Sequence, residues 1–235
     1  MIKPYLNVID LFCGCGGLSF GFMQAGYNII LGIDNDNTAL KTFKANHNGS
    51  ETLCLDLHAS SSIDDIKKAL GNKKPDIVVA GPPCQGFSLT GPRKFDDKRN
   101  SLYLAVIKTV RTLKPKAFLI ENVPGLANLY NGKIKDKIIQ RFNKIGYNVS
   151  MKILTAADYG IPQIRKRVFF VGLKKTYGSF DFPAHTRLPK RYITCEEAIS
   201  DLPARENELG HEIDNYINLP ATSYQKKMRG KYMIV

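Results

Sequence analysis

Short apolar runs alternate with stretches of helical periodicity along the first 150 residues of the chain. The pattern predicts strands at 5–12, 28–34, 52–57, 76–81 and 117–122, helices at 17–25, 38–47, 62–70, 101–113 and about 133–144, and two further strands at 147–154 and 167–173. Such alternation is typical of a parallel sheet with helices on both faces. No helix separates the last two strands. We therefore predict an α/β fold with a doubly wound, mostly parallel, Rossmann-like sheet and an antiparallel edge pair.

The strand and helix patterns end at about residue 178, and the sequence that follows is irregular and contains prolines. We expect residues 1–178 to form the main domain and residues 179–235 to form a linker and the start of an incomplete second region. No apolar run reaches about 18 residues, so no membrane span is expected. The five cysteines are sparse and odd in number. This usage indicates a reducing cytoplasm rather than a disulfide framework.

Positive charge is concentrated in the middle of the chain. The protein has 34 Lys and Arg against 21 Asp and Glu, and residues 101–200 alone carry 18 against 6. A strongly basic part beside a nearly neutral one favours a surface that faces a polyanion. A solvated, lysine-rich face with no partner is the alternative that charge alone leaves open.

A glycine loop follows the first predicted strand. That strand runs into Gly14-Cys15-Gly16-Gly17 and then a helix, and Asp34 ends the next strand, where its carboxylate can accept hydrogen bonds from ribose hydroxyls. Ser19 stands where a dinucleotide-binding loop has its third glycine, which weakens the case for a bound pyrophosphate. A nucleoside cofactor without phosphate, such as S-adenosylmethionine, fits at least as well. A tight turn that binds nothing is the remaining alternative.

A cysteine and a carboxylate follow the fourth and fifth predicted strands. Pro82-Pro83-Cys84 comes directly after one strand, and Glu121 lies at the end of the other. Since neighbouring parallel strands end at the same edge of a sheet, the two side chains are expected to emerge together. A thiolate there is a nucleophile, and a carboxyl beside it can protonate a ring that the thiolate attacks. A buried structural thiol is the alternative.

Four motifs in order resemble the cytosine-5 DNA methyltransferase family over about residues 5–175. They are DLFCGCGG at 10–17, GPPCQGFS at 81–88, ENVP at 121–124 and QIRKR at 163–167. The loop at 90–100 looks more like the bacterial DNA enzymes than the related tRNA-modifying branch. The resemblance implies a class I S-adenosylmethionine-dependent fold, double-stranded DNA as substrate, a bacterial restriction-modification system and base flipping.

The resemblance also assigns roles to individual residues. Cys84 would add to carbon 6 of cytosine, while Glu121 would contact the ring nitrogen N3 and the exocyclic amine. Arg167 would bind the base oxygen and the Glu121 carboxylate. Arg165 would support Arg167 or contact the DNA backbone. Segment 85–99 would close over DNA. No metal is implied.

The cofactor residues implied by the resemblance follow the ends of the strands. S-adenosylmethionine would lie along the glycine loop, with its ribose, adenine and methionine parts on successive strand ends. The residues are Phe12, Gly14, Cys15 and Gly17 on the loop, Asp34 and Asn35 at the ribose, Asp56 and Leu57 at the adenine edge, and Pro83 and Leu102 at the methionine side.

Several interpretations stay open at the level of sequence. Members of the family continue into a target-recognition region that this chain would lack, so a subunit completed by a second polypeptide, a truncated product and a deliberately shortened chain are all expected possibilities. A catalytically silent remnant that binds DNA or cofactor is an alternative to the enzyme. A nicotinamide-dependent oxidoreductase is a third hypothesis, but it gives Cys84 and Glu121 no role. The DNA target sequence is not readable.

Overall fold

A seven-stranded sheet organises the protein in the computed structural model, which describes residues 5–83, 102–128, 131–188, 191–203 and 218–229. The strands are β1 (Asn7–Leu11), β2 (Asn28–Asp34), β3 (Glu51–Cys54), β4 (Ile77–Ala80), β5 (Ala117–Asn122), β6 (Tyr147–Thr155) and β7 (Lys166–Lys174). Their order is β3-β2-β1-β4-β5-β7-β6. Strands β1 to β5 are parallel, and β7 runs antiparallel to β5. The predicted α/β fold is confirmed, including its antiparallel edge.

Helices connect the strands and follow the sheet. They are α1 (Gly17–Gln24), α2 (Asn37–Asn46), α3 (Ser62–Leu70), α4 (Leu102–Leu113), α5 (Gly125–Asn128), α6 (Lys133–Lys144), α7 (Cys195–Ile199) and α8 (Ser223–Arg229). The first four and α6 agree with the predicted helices within one or two residues. Within the described ranges no helix is both long and apolar enough to span a bilayer.

Two hydrophobic clusters show that helices cover both faces of the sheet. On one face, α1 and α2 pack against strand residues that include Val8 and Val79, with Phe43 fully buried between them. On the other face, α3, α4 and α6 pack against the residues that point the opposite way, including Ile9 and Phe118. Alternate residues of one strand therefore enter different cores, and the strands read as continuous apolar runs.

The chain divides into two compact units. The first unit comprises residues 1–153 and 167–182, and the second comprises residues 154–166 and 183–235. The domain boundary expected near residue 178 remains a prediction.

The second unit contains two short helices that the sequence pattern did not predict. Thr194 and Glu197 cap α7 reciprocally, each side chain accepting from the other residue's backbone N–H. Arg229 at the end of α8 donates two hydrogen bonds to the buried Asp201 carboxylate, at 2.8 and 3.1 Å. A two-pronged ion pair of this kind fixes the two groups in both distance and orientation.

Candidate active site

The glycine loop turns tightly between β1 and α1. The chain leaves β1 at Phe12, whose φ of 59° lies in a region that bulky side chains rarely adopt. The Gly16 N–H donates to the Cys13 carbonyl at 2.8 Å, and Gly16 itself has a φ of 89°. A Cβ at Gly16 would lie 2.2 Å from His47 Cε1. Both the backbone conformation and the close approach of His47 therefore require glycine at this position.

The Asp34 carboxylate joins the end of β2 to the glycine loop. Its Oδ2 accepts a hydrogen bond from the Gly14 N–H at 2.8 Å, and its Oδ1 accepts one from the Asp36 N–H at 3.0 Å. A carboxylate offers about four acceptor positions, so each oxygen keeps room for a further donor. Asp34 is thus oriented by the backbone while it remains able to bind a ligand hydroxyl.

The segment after β3 is held beside Asp34. The Leu55 N–H donates to the Asp34 carbonyl at 2.8 Å, and the Asp56 carboxylate accepts from the His58 N–H at 2.9 Å. The bond from Leu55 is the last of the β2–β3 ladder, and β3 ends at Cys54, earlier than the predicted residue 57. It holds the chain that leads into the Asp56 turn beside the end of β2.

A cleft of about 420 Å³ opens at this edge of the sheet. Its volume lies within the usual range of small-ligand sites. It is lined by Phe12, Asp34, Asn35, Leu55, Asp56, Leu57, His58, Gly81, Pro83 and Leu102. Seven of the ten residues expected to bind the cofactor are among them. Gly14, Cys15 and Gly17 are not part of this lining and lie on the glycine loop.

A buried carboxyl lies behind the loop. Asp10 on β1 is almost completely buried and accepts a hydrogen bond from the Ser19 hydroxyl of α1. Its Oδ1 has no hydrogen-bond partner among the described residues. Burial raises the pKa of Asp10 to about 7, although the Ser19 hydrogen bond opposes the shift. Burial, followed by the charge of Asp10, also raises the pKa of the neighbouring Cys13 thiol, so Cys13 is not a thiolate.

Glu121 and Arg167 form an ion pair at the end of β5. Their neighbours Asn122 and Val168 pair across β5 and β7, and Arg167 Nε lies 2.8 Å from Glu121 Oε1. The two side chains are about one quarter exposed, at 26% and 23%. The carboxylate is thus held in place yet open to solvent on one side.

Asn122 connects the ends of β4 and β5. Its side-chain amide donates to the Pro82 carbonyl at 3.1 Å, and its amide oxygen accepts from the Val123 N–H at 2.9 Å. A Cβ at Gly81 would lie 3.9 Å from Glu121 Oε2, so the backbone after β4 runs close to this carboxylate. Cys84 and the segment 85–99 lie outside the described residues.

The sequence profile of the C-5 cytosine-specific DNA methylases matches residues 6–232, nearly the whole chain. The chain belongs to this family. The resemblance carried by the four motifs is thereby confirmed. Among the residues that the structure describes, no group of three or more His, Cys, Asp or Glu side chains is arranged to hold a metal ion.

Individual relatives agree with the family assignment. The chain is 40% identical over 230 residues to the type II methyltransferase M.DdeI of Desulfomicrobium norvegicum and 39% identical over 221 residues to M1.HphI of Haemophilus parahaemolyticus. These alignments cover 95% and 90% of this chain but 55% and 58% of the relatives. The chain therefore spans little more than half the length of these curated relatives.

Solved structures share the fold. A prophage-encoded protein of Escherichia coli, assigned as a DNA modification methyltransferase, is 36% identical with a TM-score of 0.70, over 84% of this chain and 55% of its own. A DNMT2 variant of Spodoptera frugiperda is 20% identical with a TM-score of 0.62, over 86% of this chain and 61% of its own, a likeness that concerns the fold alone.

Three residues of the cleft were not predicted from the sequence, and one predicted site residue, Arg165, lies in the second unit. Leu55, Gly81 and His58 line the cleft although the sequence analysis did not single them out. Gly81 belongs to a quoted motif and His58 follows Asp56-Leu57 directly, so position along the chain could have indicated both. Arg165 is exposed and belongs to the second unit, where its carbonyl accepts from the Ala156 N–H at 2.9 Å.

Proposed function

We propose that this chain transfers a methyl group from S-adenosylmethionine to carbon 5 of a cytosine flipped out of duplex DNA, through a transient bond between Cys84 and carbon 6. The observation that carries the proposal is the Glu121–Arg167 ion pair beside the backbone of Gly81. This backbone continues through two prolines to Cys84. Family membership supplies the substrate class.

The cleft fits a nucleoside cofactor without phosphate. The Asp34 carboxylate, which the Gly14 N–H orients, would accept from the two ribose hydroxyls, while Asp56 and Leu57 would offer an acceptor and an apolar surface to an adenine edge. Phe12, Pro83 and Leu102 provide apolar walls, and the lining residues that the structure describes include no lysine or arginine. When bound, S-adenosylmethionine would supply an electrophilic methyl group.

The protein residues would make the cytosine ring reactive. The Cys84 thiolate forms a bond to carbon 6, and the electrons of the ring double bond move toward carbon 5. Glu121, after taking up a proton from solvent, donates it to N3 as Cys84 adds, which favours the addition. Arg167 holds Glu121 and contacts the base oxygen. Once carbon 5 carries the methyl group, its proton passes to water and the electrons of that C–H bond restore the 5,6 double bond. N3 returns its proton to Glu121, and Cys84 leaves as a thiolate.

Duplex DNA is the proposed macromolecular partner. Within the second unit, Arg165 is exposed and would contact the DNA backbone. The bacterial cytoplasm is the proposed location.

Methyl transfer from labelled S-adenosylmethionine to duplex DNA tests the proposal. The chain is assayed alone and mixed with a polypeptide corresponding to the remaining part of a relative. We expect label on carbon 5 of cytosine in at least one of these reactions. We expect none with Cys84→Ser, which should still bind cofactor. Labelling by Cys84→Ser would contradict the nucleophile, and the absence of label in every mixture would leave only the silent remnant.

A further inference from the structure

A second cavity of about 480 Å³ lies at the opposite edge of the sheet from the cofactor cleft. It is formed where α4 and α6 end, where β6 begins and where β7 ends. Its lining residues are Val110, Arg111, Lys114, Lys144, Ile145, Gly146, Tyr147, Lys174, Lys175 and Thr176. Five of these described residues are cationic and none is acidic. We call it the basic cavity.

Hydrogen bonds join the backbone segments that carry the basic side chains around this cavity. The Lys174 N–H donates to the Lys116 carbonyl at 2.9 Å, and the Lys175 N–H donates to the Gly146 carbonyl at 3.0 Å. The buried Tyr147 hydroxyl donates to the Pro115 carbonyl at 2.7 Å. The end of β7 is therefore joined to both helix ends, and the charges are presented by a rigid framework.

The charge of the basic cavity is not balanced nearby. None of its five cations forms an ion pair with another described residue. Asp76, an acidic residue at the same edge of the sheet, is paired with Lys116 at 2.9 Å. The C-terminal ends of α4 and α6 carry partial negative charge, which explains why cations such as Arg111 and Lys144 are stable there. Lys174 ends β7 and Lys175 follows it, so neither lysine belongs to the last turn of an α-helix.

We propose that the basic cavity binds the phosphodiester backbone of a nucleic acid, at a site separate from the candidate active site. Several lysines around one cavity suit a row of phosphates, and such contacts are independent of base sequence. The six residues of β5 place this edge roughly 17–20 Å from the Glu121 edge. The inference goes beyond the proposed function and does not require methyl transfer.

Binding of a labelled 20-base-pair duplex at several salt concentrations tests the inference. The variant K144Q/K174Q/K175Q is compared with the wild-type chain and with K41Q/K68Q/K73Q, which removes three exposed lysines elsewhere. Each phosphate contact contributes about 0.9 to the salt slope. We expect the cavity variant to lose about 2–3 from the slope and about tenfold or more in affinity at about 0.1 M salt, and the control to change little.

Three results would overturn the inference. Equal losses in both triple variants would show a diffuse charge effect, and unchanged DNA binding by the cavity variant would exclude the site. Two other occupants of the basic cavity, a small anion and an acidic protein, are tested by calorimetric binding of pyrophosphate and of poly-glutamate. Loss of either ligand by the cavity variant with intact DNA binding would assign the cavity to a small anion or an acidic protein. Because the assay needs no cofactor, its result is independent of catalysis. The double variant R111Q/K114Q repeats the test if the triple variant fails to fold.

Discussion

Replacement of Asp34 by asparagine should weaken cofactor binding and also loosen the glycine loop. In the wild-type chain two backbone donors, Gly14 N–H and Asp36 N–H, each contact a different oxygen of the carboxylate. Asparagine offers one oxygen, so one of these donors would face the amide NH₂ group instead. The substitution therefore removes a charge and leaves one backbone donor without an acceptor.

The magnitude follows from the number of hydrogen bonds changed. Leaving one partly buried donor unsatisfied costs about 1 kcal/mol of the free energy of unfolding, the lower end of the usual range. A hydrogen bond to a charged acceptor is worth about 1.5–3 kcal/mol. Losing that strength at the ribose hydroxyls should weaken binding of S-adenosylhomocysteine by roughly 10- to 100-fold.

Calorimetric titration with S-adenosylhomocysteine and urea unfolding measure the two effects. Asp56→Asn is the matched control, because the Asp56 carboxylate accepts one backbone hydrogen bond among the described residues, from His58, and a single amide oxygen can still accept it. We expect the control to lose less stability and less affinity than Asp34→Asn. Wild-type affinity in Asp34→Asn, or equal losses in the two variants, would refute the role given to Asp34.

Three further predictions concern other residues of the first unit. The pKa of Asp10 is raised from 3.8 to about 7, so the wild-type free energy of unfolding should fall as pH rises from about 4 to 7, by up to roughly 4 kcal/mol. Asp10→Asn should lose this dependence. If urea unfolding gave both chains the same change in the free energy of unfolding between about pH 4 and 7, the prediction would be contradicted. Glu121→Gln should slow methyl transfer by about 10²- to 10⁴-fold with cofactor affinity kept, and an unchanged single-turnover rate would argue against proton donation. Gly16→Ala should lower the free energy of unfolding by at least about 1–2 kcal/mol, because φ is positive there and an added Cβ would collide with His47. Gly17→Ala should have no such effect, because the space around an added Cβ is open. Thermal unfolding of the two variants compares them.

Sequence patterns predicted the sheet because its strands are apolar on both faces. The central strands are continuous apolar runs and the long helices have clear periodicity. The predicted bounds therefore agree with the structure within one or two residues, except for β3. The last bond of the β2–β3 ladder joins the Leu55 N–H to the Asp34 carbonyl, and the point at which such a ladder ends is a tertiary feature that no local pattern encodes. The five-residue helix α7 is too short for periodicity, although its capping pair, Thr194 and Glu197, was readable in the sequence.

The candidate site was predicted in part for a similar reason. Residues at strand ends converge in any doubly wound sheet, so Asp34, Asp56 and Glu121 could be placed at one edge from topology. Contacts made by side chains distant in sequence were not predictable in this way. The packing of His47 against Gly16 and the amide bridge from Asn122 to Pro82 are visible only in three dimensions.

A mechanism-based trap tests the central claim most directly. Duplex DNA in which 5-fluorocytosine replaces cytosine is incubated with the chain and S-adenosylmethionine, with the complementing polypeptide present and absent. Fluorine at carbon 5 cannot leave as a proton does, so the bond between sulfur and carbon 6 should persist. We expect a covalent complex that survives denaturation, carries the methyl group and maps by mass spectrometry to the peptide containing Cys84. A complex of equal yield with Cys84→Ser, or linkage to any other residue, would contradict the account.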